Sequence, residues 1–144
     1  MKSSMQSIKI ILLIITLLHS LPVLSSAEQN KHETEAIKAA KLFLQLVDGG
    51  QYQTSWDKTA PIFKGQVSQA KWSEMLAGVR PPFGPVILRV IKMAKFSTSL
   101  PGVPDGEYVT IQFATSFEKK SEAIETVTMA RIEDDWQVAG YFIK

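Results

Sequence analysis

The sequence predicts an α+β domain, with three N-terminal helices packed on one face of a curved four-stranded antiparallel meander sheet. Two observations carry this. Apolar residues recur at helical spacing up to Val79, and after Pro85 the period changes to two. The segments after Pro85 are separated by short turns, Leu100–Gly106, Lys119-Lys120-Ser121 and Asp134-Asp135. Helices first and hairpins afterwards place the helices on one face of an antiparallel sheet.

The first helix is expected over Thr34–Asp48. Ala36, Ile37, Ala40, Phe43, Leu44 and Val47 form one apolar stripe, Thr34 is a candidate N-cap, and Gly49-Gly50 ends the helix. Residues 28–33 are polar and read as a flexible lead-in. A second helix is expected over Gln51–Ala60, carrying Tyr52 and Trp56 and ending at Pro61. A third begins at Ser68 and runs to Val79, with Trp72, Met75, Leu76 and Val79 on one face and Pro81-Pro82 blocking continuation. The strands are expected over residues 86–96, 107–117, 122–132 and 136–143. There is no internal repeat.

Two hairpin assumptions fix an expected register. A two-residue turn at Asp134-Asp135 pairs Arg131 with Val138 and Val127 with Phe142. A three-residue loop at 119–121 pairs Phe117 with Ala123 and Ile111 with Met129. Both assign one core face: Val109, Ile111, Phe113, Phe117, Val127, Met129, Trp136, Val138 and Phe142. The opposite face then carries Tyr108, Thr110, Gln112, Thr126, Thr128, Gln137 and Tyr141. Tyr108, Gln112 and Tyr141 are its candidate partner-contact residues.

The N-terminus has its own signature. Lys2 and Lys9 precede the apolar run Ile10–Leu18, and Pro22 and Ser25-Ser26-Ala27 follow. This is the pattern of a cleavable signal peptide cut after Ala27, with residues 28–144 as a single domain. The run is shorter than the ~20 residues a membrane anchor needs. The expected location is therefore periplasmic or secreted, with no membrane attachment after cleavage. Removing Lys2 and Lys9 from the 16 basic residues leaves 14, matching the 14 acidic ones. A neutral domain has no general attraction for nucleic acid or anionic membranes. The chain has no cysteine, so disulfides, thiol catalysis and thiolate ligands are excluded. Only His32 remains beyond the leader, which argues against a metal centre, and no cofactor fingerprint is present.

Several motifs resemble those of a known bacterial family: Gly50-x-Tyr52-x-x-Ser55-Trp56, Val79-Arg80-x-Pro82-x-Gly84, Leu100-Pro-Gly-x-Pro-Asp-Gly-x-Tyr108, Glu125-Thr-Val-Thr128 and Trp136-x-Val-Ala-Gly-Tyr141. Together they look like the domain of unknown function 4019 family. The resemblance implies a secreted or periplasmic protein with a bent sheet wrapped on helices, of the nuclear-transport-factor-2-like or cystatin-like type. It carries no catalytic residues across. Such proteins commonly have Asp-Gly before the final Trp, where this chain has Asp134-Asp135.

Candidate binding residues follow from the register. Arg131 falls on the core face between Val109 and Val138, as an anion-binding group in a pocket or as a packed stem with its head turned outward. Arg80 is a second such group or a charge on the C-terminus of the third helix. Trp56 and Trp72 are stacking platforms or core pieces. Glu125 lies at the end of the core face and is expected as an exposed rim carboxylate, because burial of an unpaired charge is costly. No catalytic acid/base pair is evident. The expectation is a non-enzymatic module that binds a small ligand or a protein, with homodimerisation through the outer sheet face open. The alternative is an enzyme using a pocket carboxylate as acid and base.

Overall fold

The computed structural model describes residues 24–144; the apolar run of the leader lies outside the described residues. The helices are α1 (Ser26–Asp48), α2 (Tyr52–Asp57), α3 (Pro61–Lys64) and α4 (Gln69–Val79), followed by a 3-10 turn over Pro81–Phe83. The strands are β1 (Val86–Ser97), β2 (Tyr108–Phe117), β3 (Lys120–Ile132) and β4 (Asp135–Ile143). They form one open antiparallel sheet in the order β1-β2-β3-β4.

The helix α1 starts eight residues before the expected Thr34, because Ser25 is the N-cap and accepts from the Glu28 N–H. Thr34 lies within the helix and its hydroxyl donates to the Asn30 carbonyl. His32, one turn before Ala36, extends the buried stripe Ala36, Ala40, Phe43, Leu44 and Val47. That extension holds residues 28–33 in the helix. The expected second helix is shortened to α2, because Thr59 leaves the helical path to bridge β4, and Pro61 starts a further short helix, α3, beyond the expected span. Ser68 caps α4 as expected, accepting from the Lys71 N–H.

The α1 stripe packs on Val109, Ile111, Phe113, Val127, Met129 and Val138, and α4 adds Trp72 and Leu76. Phe43, Phe63, Trp72 and Tyr141 fill the space between, with ring centroids 5.2–6.2 Å apart. Full burial of a ring such as Phe43 contributes about 1.5–3 kcal/mol, and the partly buried Phe63 and Tyr141 contribute less.

The sheet register differs from expectation in an informative way. The β2–β3 turn is Glu118-Lys119, and a register shift between Thr115 and Phe117 sets one extra residue of β3 against β2, so Ile111 pairs with Val127 rather than Met129. A slip of two preserves every facing, and the β2 and β3 core residues stay inward. The β3–β4 turn is Glu133-Asp134, so Met129 pairs with Val138. A bulge between Thr128 and Met129 then shifts the rest of β4 by one, pairing Val127 with Tyr141. An odd slip exchanges faces. Tyr141 turns into the core, and Phe142, expected inside, is 61% exposed. Tyr108 is also buried, covered by the β1–β2 loop, with its hydroxyl donating to the Pro104 carbonyl at 2.7 Å. Of the expected outer-face trio, Gln112 alone remains on the open face.

Candidate functional site

Six elements converge on one polar cluster inside the helix–sheet layer. The helix α1 ends at Asp48, where Gly49 caps it and Gly50 turns at φ 71°. Arg80 caps α4, Arg89 comes from β1, Thr115 from β2, Glu125 from β3 and Tyr141 from β4. Glu125 is 0% exposed, the reverse of the rim position expected for it. Its burial is tolerated because four donors reach it. Arg89 Nε and the Thr115 hydroxyl donate to Oε2 at 2.7 and 2.6 Å. Arg89 Nη2 and the Tyr141 hydroxyl donate to Oε1 at 3.2 and 2.6 Å.

Arg89 spans two carboxylates. It grips Glu125 on one side, and on the other donates to Asp48 from Nη1 at 2.7 Å and Nη2 at 3.0 Å. Asp48 Oδ1 also accepts from Arg80 Nη2 at 3.1 Å, while Arg80 Nη1 donates to the Gly84 carbonyl at 2.6 Å. The Arg80 guanidinium lies 4.4 Å from the Phe117 ring centroid. Two arginines balance two carboxylates. Burial alone lowers the Arg89 pKa, but the bonds to Asp48 and Glu125 outweigh it and hold the guanidinium above its ordinary value. The Tyr141 phenol is pushed far above its ordinary pKa, first by burial and then by the charge and hydrogen bond of Glu125.

The chemical consequence concerns the carboxylates. A general base needs a lone pair free to meet a substrate proton. Both oxygens of Glu125 and of Asp48 are engaged by donors. The cluster is a clamp joining the end of α1 to all four strands.

Arg131 sits in a second cluster near the other end of α1. Its Nη1 lies 3.4 Å from Glu107 Oε2 and 3.5 Å from His32 Nδ1, and its Nη2 lies 3.6 Å from Asp134. Arginine only donates, so Nδ1 of His32 is the acceptor and the ring proton is assigned to Nε2, 3.6 Å from Glu107 Oε1. The imidazole stacks on Phe96 at 5.0 Å and meets the edge of Trp136 at 5.9 Å.

The four candidate ligand residues therefore do not share a pocket. His32 and Asp48, which mark the Arg131 and Arg80 clusters, are separated along α1 by about 24 Å at 1.5 Å per residue. Trp56 donates its indole N–H to the Val67 carbonyl at 2.8 Å, and Trp72 donates to the Ser55 hydroxyl at 2.9 Å. Among the described residues no group of three His, Cys, Asp or Glu has metal-ligand geometry. No helix among them is long and apolar enough to cross a membrane.

Sequence reasoning missed Arg89. Its signal is one opposite charge on each of two core-facing strand positions, Arg89 on β1 and Glu125 on β3, but pairing them needs the β1–β2 and β2–β3 registers together.

The open face of the sheet is apolar at one end. Leu88 is 58% exposed, Val90 47% and Met93 39%; Val90 pairs with Ala114 and Ala114 with Ile124, while Phe142 lies on β4 opposite Thr126 on the same face. Leu88, Val90, Ala114, Ile124, Glu122 and Lys144 line a groove of about 390 Å³ there. Another groove of about 390 Å³ opens between α1 and β4, floored by Phe43, Met129 and Val138.

Fold and site together define a helices-on-sheet α+β protein, with a charge-neutral clamp inside and an apolar patch outside. The chain belongs to the family described as Protein of unknown function (DUF4019), whose model matches residues 39–141. The matched span contains every member of the Asp48–Arg80–Arg89–Thr115–Glu125–Tyr141 clamp and ends before Phe142. No curated protein matches the chain.

Proposed function

We propose that this chain is an exported, non-enzymatic module that binds a protein partner through the apolar end of its outer sheet face. The observation that carries the reading is the exposure of Leu88 and Val90 on the groove they form with Ala114 and Ile124, with Met93 and Phe142 exposed on the same face. Monomeric proteins seldom leave such a patch open without a use for it. The saturation of Glu125 and Asp48 argues against the alternative of an acid/base enzyme, since neither offers a free lone pair. The dispersal of Arg80, Arg131, Trp56 and Trp72 argues against one small-ligand pocket built from them. Export rests on the leader pattern alone, with the cut after Ala27.

A photoreactive amino acid placed at Val90, in cells expressing the chain with its own leader, tests both parts. The expected result is a discrete adduct in the exported fraction, beginning at Glu28 by mass spectrometry and lost on Leu88→Glu. A chain that gives no adduct sinks the contact surface. A chain recovered with residues 1–27 attached sinks the cleavable leader.

A further inference from the structure

The outer face carries a hole and a knob side by side. The hole is the groove walled by Leu88, Val90, Ala114 and Ile124. The knob is Phe142, 61% exposed, which pairs with Thr126 one outward position along β3 from Ile124. We propose that two copies of this chain form a two-fold dimer in which Phe142 of each fills the groove of the other. The inference rests on the outer face being a contact surface, and adds the identity of the partner.

Three features favour a second copy. A two-fold contact needs both complementary parts on one surface, so that residue i meets j while j meets i. Here they lie on adjacent strands of one face. Charge does not oppose it, since the domain from Glu28 has equal numbers of acids and bases. The groove rim bears one of each sign, Glu122 and Lys144, which two copies related by a two-fold axis can set against each other. Edge-to-edge pairing is a poorer mode. The uncovered edge strand β1 has register breaks at Val86/Leu88 and Ile91/Met93 and carries Lys92 and Lys95. Bulges and lysines are devices that block strand addition, so face packing remains.

Sedimentation velocity and light scattering of the purified exported chain test the proposal. The expected mass is that of two chains at tens of micromolar. It halves on Phe142→Ser, which removes the knob, and on Ala114→Phe, which fills the hole. Both sites face solvent, and unchanged circular dichroism verifies that each variant is folded. A wild-type chain that stays at the mass of one copy overturns the dimer, and so does a dimer that survives both substitutions. If the chain is monomeric yet cross-links from Val90 to a different protein, the surface stands and the second copy falls. If neither occurs, both readings fall together.

Discussion

Glu125 has no exposed surface and four donors, and this residue shows most directly how the interior is held. A buried ion pair gains little over an apolar one, but removing one partner strands the other charge. Glu125→Ala leaves Arg89 with Asp48 alone and orphans the hydroxyls of Thr115 and Tyr141. We expect a loss of about 3–5 kcal/mol in denaturant unfolding. A variant as stable as wild type would show that the clamp is not formed. Tyr141 adds a pH dependence. Its folded pKa is raised above the ordinary value by burial and by Glu125. Its contribution is thus complete below the ordinary phenol pKa of about 10, and is lost progressively as pH rises above that value, because the unfolded chain releases the proton first. Stability measured from pH 8 upward should fall beyond about pH 10, and Tyr141→Phe should flatten that fall. The residue-level error in the sequence reading has the same origin. Glu125 was expected at the rim because an unpaired buried carboxylate is costly, and its partner Arg89 lies 36 positions away in sequence.

At the scale of elements, α1 and β4 depart from the reading most. His32 is polar and looked like part of a lead-in, yet it continues the α1 stripe and packs between Phe96 and Trp136. In β4, one extra residue at Ala139 exchanges the faces of Tyr141 and Phe142. Gly140 was the available signal, since a glycine inside a strand often marks a bulge. The β3–β4 turn bears on the missing Asp-Gly. The left-handed residue is Glu133, at φ 57°, which a side chain makes unfavourable. Glu133→Gly should therefore raise stability by about 0.5–1 kcal/mol, the steric relief outweighing the extra freedom of the unfolded chain. A lower melting temperature for this exposed-turn variant would count against the observed register.

For the whole molecule, the two faces of the sheet do different things. The inner face is closed by α1, α4 and an aromatic cluster, and its charges are spent on one another. The outer face is covered at the Tyr108 end by the β1–β2 loop, with Leu100 and Val103 over Ala130. It is bare at the Phe142 end. The edges are treated differently too. Lys58 and Ala60 bond the free side of β4 at Val138, whereas β1 has Glu33 on the Phe96 N–H and is otherwise blunted by bulges and lysines. With its inner charges paired and its edges blunted, the molecule presents the apolar end of its outer face for contact, and this is why the dimer experiment targets that face.

By itself the sequence determined the α+β class, the order of elements, the inward faces of β2 and β3, and the family. These depend on local periodicity, on turn residues and on a two-residue alternation that survives a slip of two. Tertiary structure decided the join of His32 to α1, the inward turn of Tyr141, the exposure of Phe142 and the meeting of Asp48, Arg80, Arg89 and Glu125. Each depends on a one-residue bulge or on contacts between segments far apart in the chain, and local pattern specifies neither.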